Sequence, residues 1–585
     1  MGKVFKYFKA REWLLVVLCA AFVVVQVYSE LKMPEYTKAI TAAIQAPEPS
    51  VREVWMNGLF MLLCALGSAG CLLIVGLFAA LLGARIAKRM REEIYAHVTE
   101  LSLADVNKFS IATLITRSTN DVTQVQALFA LGAQYLFRAP IMSVWAVVKI
   151  VKYDWRYSTM TGIAIVVMLV VGLIVILFAL PKFKKIQLLT DDVNRIMREQ
   201  LTGVRVVRAY NAEQYAESKF GTANDELTKT NIAVNRAFVT INPLINVVMY
   251  GVSIGVFWIG CIIVNNAMGA AKLDAFSDMM ALTSYVLQVL SGFLMLVVTF
   301  IMTPRALIAA RRITEVLDVP PSVVDPASPA PAPEKDGTVE FRNVSFRYPD
   351  AGEYALKNIT FEAKRGETVA FIGSTGSGKT TLVNLVPRFY DVTEGEVLVD
   401  GMDVREFTQK ELRSRIGYVQ QKSTLFSGTL AENVNFGDGA AERTEADIRK
   451  ALEVAQADFV DDMDGGLNAH IAQNGTNVSG GQRQRIAIAR AVCKNPEIYI
   501  FDDSFSARDF KTDRALRAAL KTHAAGATSL IVAQRVGTIM DADKIVVLDD
   551  GKQVGVGTHA ELMGTCEVYR EIALSQLSEE ELNNA

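Results

Sequence analysis

The segment ETVAFIGSTGSGKTTL sets an apolar run, residues 368–372, directly before the pattern GSTGSGKT and a helix-favouring stretch. That is the context in which a glycine-rich loop binds phosphate. Gly373, Gly376 and Gly378 let the backbone curl until its N–H groups face an anion, and the helix that follows adds positive potential at its N-terminus. Ser374, Thr375 and Ser377 complete the loop. Lys379 is placed to contact the β- and γ-phosphates, Thr380 brings a hydroxyl for Mg²⁺, and Thr381 follows it. Such a loop serves a nucleoside triphosphate.

A second loop-to-helix junction lies in NVSGGQRQRIAIARA, where Ser479, Gly480 and Gly481 open a helix whose apolar face is Ile486, Ile488 and Ala489. Alone, SGG ahead of a helix is only a capping signal. Twenty residues beyond Gln482, however, an apolar strand ends in Asp502, an acid positioned to hold Mg²⁺ beside a nucleotide. Order and spacing of the three motifs together point to Mg²⁺ and ATP. The residue after Asp502 is Asp503, where hydrolysis would favour a longer carboxylate.

These motifs need elements to carry them, and the composition divides the chain in two. Of 585 residues 51% are hydrophobic and 21% charged, the balance of a membrane protein, and a formal net charge of −2 gives no reason to expect a nucleic acid partner. The six cysteines show no CxxC pair, and the four histidines are scattered, so neither set builds a metal centre. Apolar stretches predict six transmembrane helices at about 13–33, 55–84, 128–151, 157–181, 237–265 and 278–304. Basic clusters before the first span and after the second, fourth and sixth all fall on one side, which places the N-terminus and the C-terminal half in the cytoplasm. A cleaved leader at the first apolar run would leave five spans and invert that pattern. The loops 85–126 and 182–236 read as helices continuing out of the membrane. Arg138 and Lys149, costly in hydrocarbon, are expected to face a cavity or snorkel to an edge, while Asn242, Asn246 and Gln288 suit either a pathway or helix-to-helix hydrogen bonds. A transmembrane domain over 1–318, a Pro-rich linker over 319–336 and a nucleotide-binding domain over 337–585 result. The last opens with the alternating TVEFRNVSFRYPD, in which Tyr348 sits where alternation stops.

GSTGSGKTT, VSGGQ and IYIFDD in this order resemble an ATP-binding cassette (ABC) domain. With six preceding spans and two long loops, nearly the whole chain is similar to an exporter-type ABC half-transporter. The resemblance implies a membrane α-helical domain with long cytoplasmic extensions, followed by an α/β P-loop cassette, in a multi-pass protein of the cell membrane. It implies a dimer in which each ATP lies between the P-loop of one subunit and the VSGGQ of the other. Val478, Ser479, Gly480, Gly481 and Gln482 would then touch the partner's ATP. Tyr348 would stack on adenine, Asp502 would hold Mg²⁺ through water alongside Thr380 and Gln421, and Asp509 in SARD would reach across the dimer. Gln421, in GYVQQKSTLFSGTL, is preferred over its neighbour Gln420. SLADVNKFSIATLITRSTNDV and RAYNAEQYAESKF resemble the coupling helices of such exporters.

Two catalytic positions depart from the family pattern. A Glu is usual after the Walker B Asp, and a His about thirty residues on; here they are Asp503 and, in SLIVAQRVGTI, Gln534. Aspartate withdraws the carboxylate by roughly 1.3 Å, and misplacement by about 1 Å costs on the order of 100-fold in rate. Glutamine bonds a phosphate oxygen but carries neither proton nor charge. His523 lies eleven residues before Gln534, ahead of the strand. Gln473 and Arg508 also depart, where exporters commonly carry Glu and Leu. The pattern implies one subunit of a heterodimer, with a slow site of its own and an intact signature serving the competent site of a second, multidrug-like half-transporter. The alternatives are tolerated variants in a homodimer using Asp503 as base, or an ATP-gated regulatory or channel subunit. A small amphipathic or lipid-like substrate and surrounding membrane lipids complete the expected partners.

Overall fold

The computed structural model describes residues 2–45, 50–349, 351–437, 443–505 and 510–577, and counts below refer to these. It separates into two compact units, residues 1–97 with 112–318 and residues 98–111 with 319–585. A single cut at 318 misses this division. The stretch 98–111 lies in the first long loop, yet it clusters with the nucleotide-binding half because its polar side chains bond the chain just after the last span.

The helical half of the chain runs through α1 (Ala10–Gln45), α2 (Val51–Glu100), α3 (Leu103–Phe109), α4 (Ile111–Thr116), α5 (Val122–Ile150), α6 (Trp155–Thr202), α7 (Val204–Ala209), α8 (Glu213–Asn266) and α9 (Ala270–Leu317), of which α3 falls in the second unit. The six expected spans fall on α1, α2, α5, α6, α8 and α9. Among the residues whose side chains are described, five apolar stretches reach spanning length, Ala10–Gln45, Val51–Glu100, Ile111–Ile150, Pro243–Asn266 and Ala271–Leu296, and α6 carries the apolar run Trp155–Val171. The helices overshoot the apolar stretches. The 50 residues of α2 rise roughly 75 Å at about 1.5 Å each, more than twice a hydrocarbon core of about 30 Å. Val23, Val27, Val75, Met142, Val252, Leu282 and Tyr285 form the inner core. Leu66, Leu73 and Leu77 of α2 are exposed, the outward apolar face expected of a membrane span.

The charges expected to seek a cavity or an edge are each paired with an acid. Arg138 of α5 donates to both carboxylate oxygens of Glu30 on α1, at 2.9 and 3.0 Å, and Lys149 pairs with Glu35. Gln26 and Ser68 also donate to Glu30, and Gln288 donates to its backbone carbonyl at 3.3 Å, a helix-to-helix bond joining α9 to α1. Pairing within the helical bundle offsets the cost of these charges.

The second unit centres on a ten-stranded sheet, with β1 (Val339–Phe346), β2 (Leu356–Ala363), β3 (Thr368–Gly373), β4 (Glu394–Val399), β5 (Met402–Asp403), β6 (Ile416–Val419), β9 (Ile498–Asp502), β10 (Thr528–Val532), β11 (Lys544–Asp549) and β12 (Lys552–Gly557) in the order β5-β4-β1-β2-β12-β11-β3-β10-β9-β6. β7 (Gly428–Thr429) and β8 (His470–Ile471) pair separately. Strands β11, β3, β10, β9 and β6 run parallel, so their C-terminal ends share one edge. β1, β2, β4 and β5 form the antiparallel part that the alternating opening predicts. Helices pack around the sheet: α10 (Lys379–Leu385), α11 (Gln409–Ser414), α12 (Leu430–Val434), α13 (Glu445–Val454), α14 (Gly480–Lys494), α15 (Phe510–His523), α16 (His559–Thr565) and α17 (Glu567–Gln576). The centres of the parallel strands are apolar: Val369, Ala370, Phe371, Ile372, Ile498 and Ile500 are completely buried. A sheet covered on both faces requires such runs.

Candidate functional site

The glycine-rich loop leaves the sheet at β3 and enters α10. Gly373 has φ +155°, and a Cβ there would overlap the Leu548 carbonyl oxygen. Gly378, at φ +96°, would bring a Cβ within 2.7 Å of Leu356 and 2.9 Å of the Ala355 carbonyl oxygen. Both positions exclude any side chain. Ser374, Thr375, Gly376 and Thr380 are exposed along the open face, whereas Ser377, Lys379 and Thr381 are buried. Lys379 Nζ donates to the carbonyls of Gly373 at 2.9 Å and Ser374 at 2.7 Å and to Ser377 Oγ at 3.3 Å, so its ammonium sits inside the loop. Burial pushes its pKa down, against the pull of Asp503 and Asp502.

Asp502 ends β9 between β6 and β10 and is 2% exposed. Thr380 Oγ1 donates to Asp502 Oδ1 at 2.9 Å, and burial raises the Asp502 pKa although this bond opposes it. A hydroxyl and a carboxylate oxygen touching at the mouth of a phosphate loop are the hard donors Mg²⁺ takes, its remaining positions going to phosphate and water. The donor set therefore fits the ion.

Because β6, β9 and β10 end at one edge, the residues following them converge. Asp503 follows β9 in a left-handed conformation, φ +48°, with its N–H bonded to the Val532 carbonyl at 3.0 Å. Its Oδ2 accepts Gln534 Nε2 at 2.7 Å from beyond β10 and Gln421 Nε2 at 3.1 Å from beyond β6. Gln421 rather than Gln420 makes this bond. Burial raises the Asp503 pKa, with Gln421, Lys379, Arg535 and Gln534 acting the other way. Gln576 of α17 donates to the Gln534 carbonyl at 2.9 Å and accepts from the Val536 N–H at 2.9 Å, fixing the chain that carries Gln534.

Tyr348 lies beside the loop helix: its hydroxyl is 2.9 Å from Thr381 Oγ1, and its ring makes edge contacts with Phe346 and Tyr390. At the signature, Ser479 caps α14 in a reciprocal box, accepting the Gln482 N–H at 3.3 Å while Gln482 Oε1 accepts the Ser479 N–H at 2.8 Å. Val478 is buried beneath it, and a Cβ at Gly480 or Gly481 would meet nothing within 4 Å, so the motif's outer surface is open. Gln473 begins a short 3₁₀ turn, Gln473–Gly475. Asp509 and Arg508 lie outside the described residues. His523 ends α15. Sequence reasoning missed Gln576 and Thr381 as the partners of Gln534 and Tyr348; neither motif nor periodicity marks the first, and only the Thr doublet hints at the second.

Comparison with known proteins fits both units. The family model described as ABC transporter matches residues 356–506, and that described as ABC transporter transmembrane region matches residues 16–290. The chain is 40% identical over 518 residues to an uncharacterized ABC transporter ATP-binding protein of Mycobacterium tuberculosis, covering 87% of this chain and 88% of that protein. It is 31% identical over 587 residues to an ATP-dependent lipid A-core flippase of Hahella chejuensis, covering 99% and 97%. A bacterial Atm1-family ABC exporter solved with ATP bound superposes with a TM-score of 0.78 over 98% of this chain and 100% of that one; at 24% identity the likeness concerns the fold. A membrane-helical domain joined to an ATP-hydrolysing cassette over almost the entire length means that the chain belongs to the ABC transporter family, as an exporter-type half-transporter.

Proposed function

We propose that the chain is one subunit of a heterodimeric ATP-driven exporter of the cell membrane, with its cassette in the cytoplasm. Its own site binds Mg²⁺–ATP through Lys379, Thr380, Asp502 and Gln421, with Tyr348 against the adenine, and hydrolyses it slowly. Its VSGGQ completes a competent site whose glutamate and histidine belong to the second subunit.

One observation carries this reading: Asp503 and Gln534, the two departures from the catalytic pattern, bond each other at 2.7 Å, and Gln421 holds the same carboxylate oxygen. They form one arrangement rather than two scattered changes. A carboxylate already accepting two amides, and set back by a methylene, is poorly placed to polarise an attacking water. When Mg²⁺–ATP is bound, the metal supplies charge neutralisation at the phosphates. This chain's residues bind and orient the nucleotide, and Asp503 stays occupied by its glutamines. The lipid flippase relatives support a lipid-like or amphipathic substrate.

The test is the hydrolysis rate of the purified lone chain. ATP binding with turnover at least tenfold below that of the complex with its partner is expected. Robust turnover by the lone chain, lost in Asp503→Asn, establishes the homodimer instead, a reading favoured by the raised Asp503 pKa. Ion conductance by the complex without substrate-dependent hydrolysis establishes the channel or sensor reading.

A further inference from the structure

The linker 319–336 reads in the sequence as an extended connector, but its residues are bonded in succession to one body. Asp105 of α3 is 1% exposed, and both its oxygens are engaged. Oδ2 accepts the Ser322 backbone N–H at 2.8 Å and the Ser102 hydroxyl at 2.7 Å, and Oδ1 accepts Lys108 Nζ at 3.3 Å. Ser102 Oγ and Ser322 Oγ are 2.6 Å apart. Burial opposes ionisation of Asp105, but the bonds from Ser102, Ser322 and Lys108 outweigh it and hold the carboxyl below its ordinary value. At neutral pH it is a charged, fully bonded anchor.

The following residues are tied to the cassette. The Val323 carbonyl accepts Gln409 Nε2 at 3.3 Å, and its side chain is buried. The Val324 carbonyl accepts Arg388 Nη2 at 3.1 Å, and Asp325 Oδ1 accepts the Gln409 N–H at 2.9 Å where α11 begins. The Pro333 carbonyl accepts Arg415 Nη2 at 2.9 Å, from a guanidinium 2% exposed that also pairs with Asp400. Arg388 lies three residues past the end of α10, the helix that carries Lys379 and Thr380, and is buried against Asp391. A bonded route thus runs from the phosphate-loop helix through Arg388, Val324 and Ser322 to Asp105.

We propose that residues 319–336 are a strap that fixes α3 to this chain's own cassette, with Asp105 as the positioning residue, so that α3 and the phosphate-loop helix move as one body throughout the ATP cycle. Along the chain, the crossings between the two units fall at 97/98, 111/112 and 318/319, and the Asp105–Ser322 bond joins the segments that follow the first and the last. The strap does not depend on whether the cassette's own site is slow.

Two measurements on the full exporter, purified with its partner from membranes, decide this. Ser102→Cys with Ser322→Cys, against each single variant, should form a disulfide at rates within about twofold in nucleotide-free and vanadate-trapped protein, and the oxidised protein should keep ATPase activity within about twofold of the reduced. A tenfold slower cross-link in the trapped state, or activity lost on oxidation and restored by dithiothreitol, shows that the segments part and overturns the proposal. Asp105→Ala should leave ATP affinity within about twofold yet lower kcat about fivefold, with partial rescue in Asp105→Asn, which retains one acceptor oxygen. Unchanged kcat together with faster proteolysis at 319–336 means that Asp105 only holds the linker down, and overturns the positioning role.

Discussion

The cassette carries two regions that the proposed function sets against nucleotide, and they differ in how far each departs from the family pattern. The VSGGQ end keeps its chemistry: Ser479 and Gln482 close a capping box, and Gly480 and Gly481 leave the helix N-terminus open to an anion. On the proposed reading, the phosphate-loop end keeps the residues that grip Mg²⁺–ATP but differs at the two positions that act on water and the γ-phosphate, and the side chains at those two positions bond each other. The proposal treats binding and turnover as separable in one site, because gripping a polyanion rests on backbone amides, a lysine and a metal, whereas activating water rests on the length and freedom of a single carboxylate.

The contrast is tested most severely if the two regions are damaged in turn within the assembled exporter. Ser479→Arg should lower ATPase activity at least 100-fold, since it blocks the competent site, while Asp503→Ala should change it less than about threefold. Steady-state hydrolysis reads both, and the opposite ranking refutes the division of labour. Restoring the family pattern probes the same contrast from the other side: Asp503→Glu with Gln534→His should raise lone-chain turnover about 10- to 100-fold, and either substitution alone should do less, because each leaves one misfit partner. Thr380→Ala, which removes the hydroxyl touching Asp502, should weaken Mg²⁺–ATP binding about tenfold by calorimetry while leaving Mg²⁺-free nucleotide binding nearly unchanged.

The smallest effect is in pH. Burial raises the Asp503 pKa, so below that value the carboxyl is protonated and cannot act as base, and above it the anion forms. Lone-chain hydrolysis relying on Asp503 would climb as pH rises through a value above the ordinary aspartate range. The complex, turning over at the partner's site, should show no such step in a pH–rate profile.

The motifs themselves were legible. GSTGSGKT, VSGGQ and the acid-ended strand 498–502 each require particular residue types at particular spacings, since a glycine with positive φ or an acid after an apolar strand has few substitutes. The spans were legible too, because lipid tolerates few charges. What could not be read was pairing at long range. Arg138 stands 108 residues from Glu30, Gln534 stands 42 from Gln576, and Asp105 stands 217 from Ser322. Hydrogen bonds of that kind leave no periodicity, since each needs one residue at one place rather than a repeat along a helix or strand.

Local pattern in the amino-acid sequence thus specifies the membrane half, the cassette and the motifs of its nucleotide site, and places Asp503 and Gln534 at the two positions where they depart from the family pattern. That Asp503, Gln534 and Gln421 meet on one oxygen follows from the folded arrangement alone, because three strands distant in sequence end at the same sheet edge. The fold also turns a Pro-rich connector into a bonded strap, since proline dictates an extended backbone but says nothing about what its neighbours' free carbonyls will find.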